Sequence, residues 1–199
     1  IEKYVAKYDF SESAIDSSQN NLNGLVSGAM LTDDRFGLPS SAYLFDDIDD
    51  NILIGHDSVL NLGIYDRFSI SLWIKPGESI NIGESKSFIQ KHASDTSWNY
   101  VYLLNSDNNG LTMNIEPQNI NLTVDTFSLN TDQWYHLVIQ KDGDIYTHFV
   151  DGDTLFSEKD ESVIGSNNGN MYIGGLNNLN NWYDGIIDDI VIAGNFGEC

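Results

Sequence analysis

Thirty carboxylates against nine cationic side chains make oxygen ligation the commonest chemistry this 199-residue chain offers. The acids come in clusters: Asp46-Asp47-Ile48-Asp49-Asp50, Asp33-Asp34, Asp142 with Asp144, Asp151 with Asp153, and Asp184 with Asp188 and Asp189. Calcium takes about six to eight oxygens from Asp side chains and loop carbonyls without a dedicated cage, so such loops suit it. A solvated acidic surface is the competing reading. A second chemistry is sugar stacking, in which aromatic faces cover the apolar faces of the ring while Asn and Asp take its hydroxyls. Trp98, Tyr100 and Tyr102 share one face of a strand by period two. Trp182-Tyr183 stands in an Asn-rich loop just before the last strand. For both groups, aromatic packing over the sheet is the alternative.

Other chemistries are poorly served. The single cysteine, Cys199, is the last residue, which excludes thiolate zinc sites and an internal disulfide. His56, His136 and His148 lack a matched nucleophile. Retaining glycosidases need two carboxylates about 5–5.5 Å apart, which a strand supplies from acids two or four residues apart. The glutamates Glu2, Glu12, Glu78, Glu84, Glu116, Glu158, Glu161 and Glu198 fall mostly in turns or termini.

The elements that must position these residues are short strands. They are readable at Val5–Phe10, Ala42–Phe45, Ile52–Ile54, Phe68–Lys75, Ser87–Lys91, Tyr100–Asn105, Leu111–Ile115, Leu122–Thr126, Trp134–Gln140, Ile145–Val150, Met171–Gly174 and Gly185–Ile192. Phe68, Ile70, Leu72 and Ile74 alternate with Ser69, Ser71, Trp73 and Lys75. Trp73 and Trp134 then read as core or sheet-face packing. Asp142-Gly143 and Asp151-Gly152 supply the positive φ of tight hairpins, and Asp16-Ser17-Ser18 can cap a loop through side-chain hydrogen bonds. No segment carries a 3.6-residue apolar stripe. The pattern predicts an all-β, two-sheet sandwich in one domain spanning residues 1–199.

With 41% hydrophobic residues and 12% aromatics, the chain is not a disordered one, and no apolar run approaches a membrane span. A net charge of -21 repels phosphate backbones and anionic lipid, so nucleic acid and membrane insertion are not expected. The chain opens at Ile1 without a signal-like segment. Secretion has to be argued from the kind of domain.

The ordered landmarks carry a resemblance. They run Tyr8-Asp9-Phe10, Ala14-Ile15-Asp16-Ser17-Ser18, Asn21-Leu22-Asn23-Gly24, Ala42-Tyr43-Leu44-Phe45-Asp46 and Phe68 to Pro76. Trp134-Tyr135-His136-Leu137-Val138, Phe149-Val150-Asp151-Gly152, Tyr172-Ile173-Gly174 and Gly185 to Ile190 follow. In this order the chain resembles a laminin-G-like domain of the concanavalin A-like lectin/glucanase superfamily, from about residue 4 to residue 194. The resemblance implies an antiparallel jelly roll with the chain ends on neighbouring strands. It implies a calcium ion joining the first strand, an early loop and an Asp on the last strand, onto which Asp9, Asp46 and Asp188 map. The glucanase motif Glu-x-Asp-x-x-Glu is absent. Gln90-Lys91-His92 has the Gln-x-His spacing of the alginate-lyase relatives, but Arg35 and Arg67 do not supply their Arg-rich strand. The expectation is a non-catalytic, monomeric, secreted or cell-surface module that binds a glycan or cell-surface glycoprotein with calcium. A protein–protein adhesion module and a polysaccharide-degrading enzyme are the alternatives.

Overall fold

The computed structural model describes residues 3–77, 85–94, 97–105, 110–115, 120–124, 129–161, 164–175 and 181–195. In chain order its strands are β1 (Lys3–Tyr8), β2 (Gly24–Ser27), β3 (Met30–Thr32), β4 (Ala42–Asp46), β5 (Asn51–Ile54), β6 (Arg67–Pro76), β7 (Ser85–Ser94) and β8 (Ser97–Asn105). They continue with β9 (Gly110–Ile115), β10 (Ile120–Val124), β11 (Tyr135–Asp142), β12 (Ile145–Val150), β13 (Asp153–Lys159), β14 (Asn170–Ile173) and β15 (Asp184–Asn195). Among the described residues the helical segments are two 3-10 turns, Ser58–Leu60 and Leu62–Ile64.

Alternation explains why the strands form and where they go. On β6 the odd positions from Arg67 to Lys75 are exposed or half-buried, and Phe68, Ile70, Leu72, Ile74 and Pro76 are buried. That strand lies at the centre of the first sheet, ordered β13-β12-β11-β6-β15-β4-β3, with β1 paired onto β15 next to β4. The second sheet runs β10-β9-β8-β7-β14-β5-β2. Ile70, Leu72, Leu137, Ile139, Ile187 and Ile192 of the first sheet bury completely, as do Ile52, Ile54, Ile89, Met171 and Ile173 of the second. Each such side chain stabilises by about 2 kcal/mol on leaving water. The β1–β15 pairing, Lys3↔Gly194 to Tyr8↔Ile190, sets the first and last strands side by side, as the resemblance implies.

Three strands escape the sequence pattern. Both β2 and β3 are short edge strands in which Leu25, Met30 and Leu31 are exposed and Val26 alone is packed against the core, and β13 is an edge strand without a buried side chain. With one face uncovered and one edge unpaired, an edge strand has no alternation to read. The first strand also stops two residues early, because Phe10 takes a left-handed φ of 51°.

Candidate functional site

Asp188 and Asp189 sit where β15 is irregular. Its pairing with β6 jumps from Asp188↔Trp73 to Val191↔Ser71, which leaves one extra residue on β15, and Asp189 adopts φ 44°. On its other edge β15 pairs with β4 through Ile187 and with β1 from Ile190 onward. On that edge Asp188 and Asp189 therefore lack a strand partner, and the loop between β3 and β4 brings Arg35 there. Its Nη1 donates to Asp188 Oδ2 at 2.9 Å and lies 2.7 Å from Asp189 Oδ2. The guanidinium also stacks on Phe36 and Trp73, at 4.4 and 4.5 Å from the ring centroids. Asp188 is 2% exposed. Burial and the neighbouring Asp189 push its carboxyl up to about 7, against the pull of the Asp189 amide and Arg35.

The three residues of the expected calcium triad do not form a carboxylate cluster. Asp188 is already paired with a cation, Asp46 is exposed at the end of β4 opposite Asp184, and Asp9 is exposed just past β1. The three do not converge. Among the described residues the acids whose oxygens do converge are Asp46, Asp49 and Asp50. In that turn Asp46 N donates to Asp50 Oδ2 at 3.0 Å, Asp46 Oδ1 accepts from Ile48 N, and the buried Lys86 ammonium holds Asp47. Asp50 is pushed up to about 6, first by burial and then by Asp46, with Asp49 adding to it.

Of the expected aromatic rim, Trp182 and Tyr183 are buried. Tyr183 is 1% exposed and lies between Phe45 and Phe88, with centroids at 6.2 and 5.1 Å. Burial pushes its hydroxyl well above the ordinary value. Trp182 is 6% exposed and covers Gly175, where a Cβ would lie 2.7 Å from the indole. This Trp-Tyr pair packs; neither ring offers a free face to a sugar. Of Trp98, Tyr100 and Tyr102 the structure describes the backbone, which pairs with His92, Lys91 and Ile89 on β7; their side chains lie outside the described residues.

The outer face of the first sheet carries what the sequence reading passed over. A groove of about 370 Å3 opens there, lined by Arg67, Ser69, Val138, Gln140, Gly194 and Asn195 among others. Ser69 in this lining pairs with Gln140 on β11 and with Ala193 on β15. Register places His136, Trp73 and Asp188 in one row across β11, β6 and β15. Trp73 is therefore flanked by His136, stacked at 4.9 Å and 18°, and by the Arg35 held at Asp188. Phe36, Arg35, Trp73 and His136 form a ridge across the sheet. Ser71 Oγ lies 2.8 Å from His136 Nε2. Burial lowers the His136 pKa; Asp151 opposes this, Arg35 adds to it and Asp189 opposes it. The signal legible in the sequence is Ser69, Ser71 and Trp73 alternating opposite the core.

The groove is poor in catalytic chemistry. Asp142, its nearest acid, pairs with Arg67 at 2.6 Å, and no second carboxylate faces it in the ladder. Ser71 and His136 resemble a nucleophile and base, but Ser71 pairs with Val138 on one side and Val191 on the other. Backbone amides committed to two ladders leave no donors for an oxyanion. Gln90 is fully buried beside Asn181, so the Gln90-Lys91-His92 run does not present a lyase face; the His92 side chain lies outside the described residues. Lys91 is buried too. Its ammonium donates to Asn167 O, Asn167 Oδ1 and Gly169 O at 2.7–3.0 Å, and desolvation lowers its pKa to about 8.

Residues 46–195 match a laminin-G-like family model described as concanavalin A-like lectin/glucanases superfamily. No curated protein matches in sequence. Among solved structures, domain 4 of an extracellular arabinanase from Geobacillus stearothermophilus, in complex with arabinotriose, superposes with a TM-score of 0.71 at 19% identity. That match covers 98% of this chain and 93% of the other. The binding domain of Paraclostridial Mosquitocidal Protein 1 gives 0.75 at 19% identity, and the receptor-binding domain of a botulinum neurotoxin C/D mosaic gives 0.72 at 16%. Each is matched over 98% of this chain, which spans 50% and 49% of those two toxin domains.

Proposed function

We propose that this chain, which belongs to the laminin-G-like family of the concanavalin A-like lectin/glucanases superfamily, is a non-catalytic carbohydrate-binding module of a secreted or cell-surface protein. The groove on the outer face of the first sheet carries this reading. The Ser69 hydroxyl and the amides of Gln140 and Asn195 can both donate to and accept from sugar hydroxyls. Paired acids for hydrolysis are not part of that lining, and its cations are engaged locally, Arg67 with Asp142 and the Lys141 ammonium with Gly143 O. The likeness to an arabinanase domain solved with arabinotriose makes arabino-oligosaccharides the first ligands to try. Calcium enters this proposal at the Asp46–Asp49–Asp50 turn, where mixed carboxylates and loop carbonyls match its oxygen chemistry.

Titration calorimetry on a neutral oligosaccharide panel, with and without chelator, tests both parts. Gln140→Ala should weaken binding about tenfold, the loss of one or two hydrogen bonds. Binding unchanged in Gln140→Ala and in Ser69→Trp, which fills the groove, would refute the site. Asp49→Asn should abolish any response to chelator. A protein ligand is the second reading, favoured by the exposed Phe36, Leu38 and Met30. Capture of a deglycosylated partner, with every glycan silent, would select it.

A further inference from the structure

A calcium ion between the terminal strands is what the family resemblance implies, and the residues at that junction do not fit one. We infer that Arg35 is itself the cation of this gap: its guanidinium closes the break between β4 and β1 in place of a metal ion, so the junction of first and last strands is calcium-independent.

Four observations converge on this. Pairing with β4 ends at Ile187 and pairing with β1 starts at Ile190, so the two residues between, Asp188 and Asp189, are unpaired on that edge. A single nitrogen, Arg35 Nη1, reaches both, at 2.9 and 2.7 Å. The planar group is fixed by packing as well as by charge, between the rings of Phe36 and Trp73. The loop that carries it is shaped by Asp34, whose Oδ1 accepts from Phe36 N and Leu38 N at 2.8 Å each. A guanidinium suits this place because it is weakly hydrated, planar and permanently charged. Its side chain is 17% exposed. A divalent ion would have to displace it from both carboxylates and both rings, or sit against its positive charge.

The test is a set of melting curves, with chelator and with millimolar calcium, in an Asp49→Asn background that silences the acidic turn. With Arg35 present, chelator should leave the melting temperature unchanged. Arg35→Met should lower it by about 10 °C, because both carboxylate contacts and the packing against Phe36 and Trp73 are lost and the buried Asp188 is left without its partner. Adding Asp188→Asn to Arg35→Met should restore roughly half of that loss, since a buried carboxyl without its partner is replaced by a neutral amide. Calcium should raise the melting temperature of Arg35→Met and not that of the double variant. If Arg35→Met does not fold, the double variant and Arg35→Lys carry the same comparison: both should fold, and neither should answer to calcium. The inference is overturned if chelator destabilises the Arg35 protein in this background, if Arg35→Met melts like its parent, or if Asp188→Asn deepens the loss.

Discussion

Asp16 shows how one side chain can organise a loop. It is buried, and its carboxylate accepts from Lys7 N, Ser18 N, Ser18 Oγ and Leu22 N at 2.7–2.9 Å. Burial alone would raise its pKa, but the Ser18 hydroxyl and the amides of Lys7, Leu22 and Ser18 outweigh it and hold the carboxyl below the usual value. A depressed folded pKa contributes stability that is present above the unfolded value of about 3.9 and is lost as pH falls through the folded one. Asp16→Ala should therefore cost about 3 kcal/mol at pH 7, as several buried amides lose a charged acceptor. Urea denaturation should show the gap between variant and parent narrowing as pH falls below about 4. A gap that stays constant down to pH 2 would mean that packing, and not charge, is what Asp16 supplies.

At the scale of elements, turns and close approaches decide which glycines matter. The β12–β13 hairpin turns on Asp151 and Gly152, at φ 52° and 88°, a pair of left-handed residues as tight antiparallel turns require. Nothing lies within 4 Å of a Cβ built on Gly152, so Gly152→Ala meets backbone strain alone, about 1–2 kcal/mol. At the end of β14, Gly174 has a similar φ of 91°, but its Cβ would lie 2.2 Å from the Phe45 ring. The Phe45 ring is itself packed against Tyr183 in the core. Gly174→Ala should lower the denaturation midpoint far more than Gly152→Ala, although the sequence change and the backbone region are the same. Equal midpoints would show that the sheet can shift away from Phe45 at little cost.

Across the whole molecule, the net charge of -21 works against the compact state by self-repulsion. The exposed pairs Arg67–Asp142 and Lys159–Glu161 do little to offset it, since such pairs are worth about 0–1 kcal/mol. Raising sodium chloride from about 0.01 to 0.5 M shortens the screening length from roughly 30 Å to under 5 Å. The melting temperature should rise over that range, and the affinity for a neutral oligosaccharide should not change. Affinity that falls steeply with salt would point to a basic protein ligand in place of a sugar.

Local periodicity is what the amino-acid sequence determines unaided. A β-strand turns its side chains to opposite faces at every residue, so Phe68-Ile70-Leu72-Ile74 against Ser69-Ser71-Trp73-Lys75 announces a sheet with one buried face, and the hairpin glycines between strands announce its antiparallel order. The capping role of Asp16-Ser17-Ser18 was legible for the same reason, since Ser18 and Leu22 lie within six residues. Partner choice across the sheet was not. Trp182 and Tyr183 look like a free pair in an Asn-rich loop, but Phe45 and Phe88 from distant strands close on Tyr183, and Trp182 folds back over Gly175. Asp188 looks like a calcium ligand until Arg35, 153 residues away, is brought to it by the hand-over from β4 to β1. Alternation specifies which face of a strand is buried, but the charge that meets a carboxylate depends on which loop crosses that face, and that is decided only when the strands are ordered side by side.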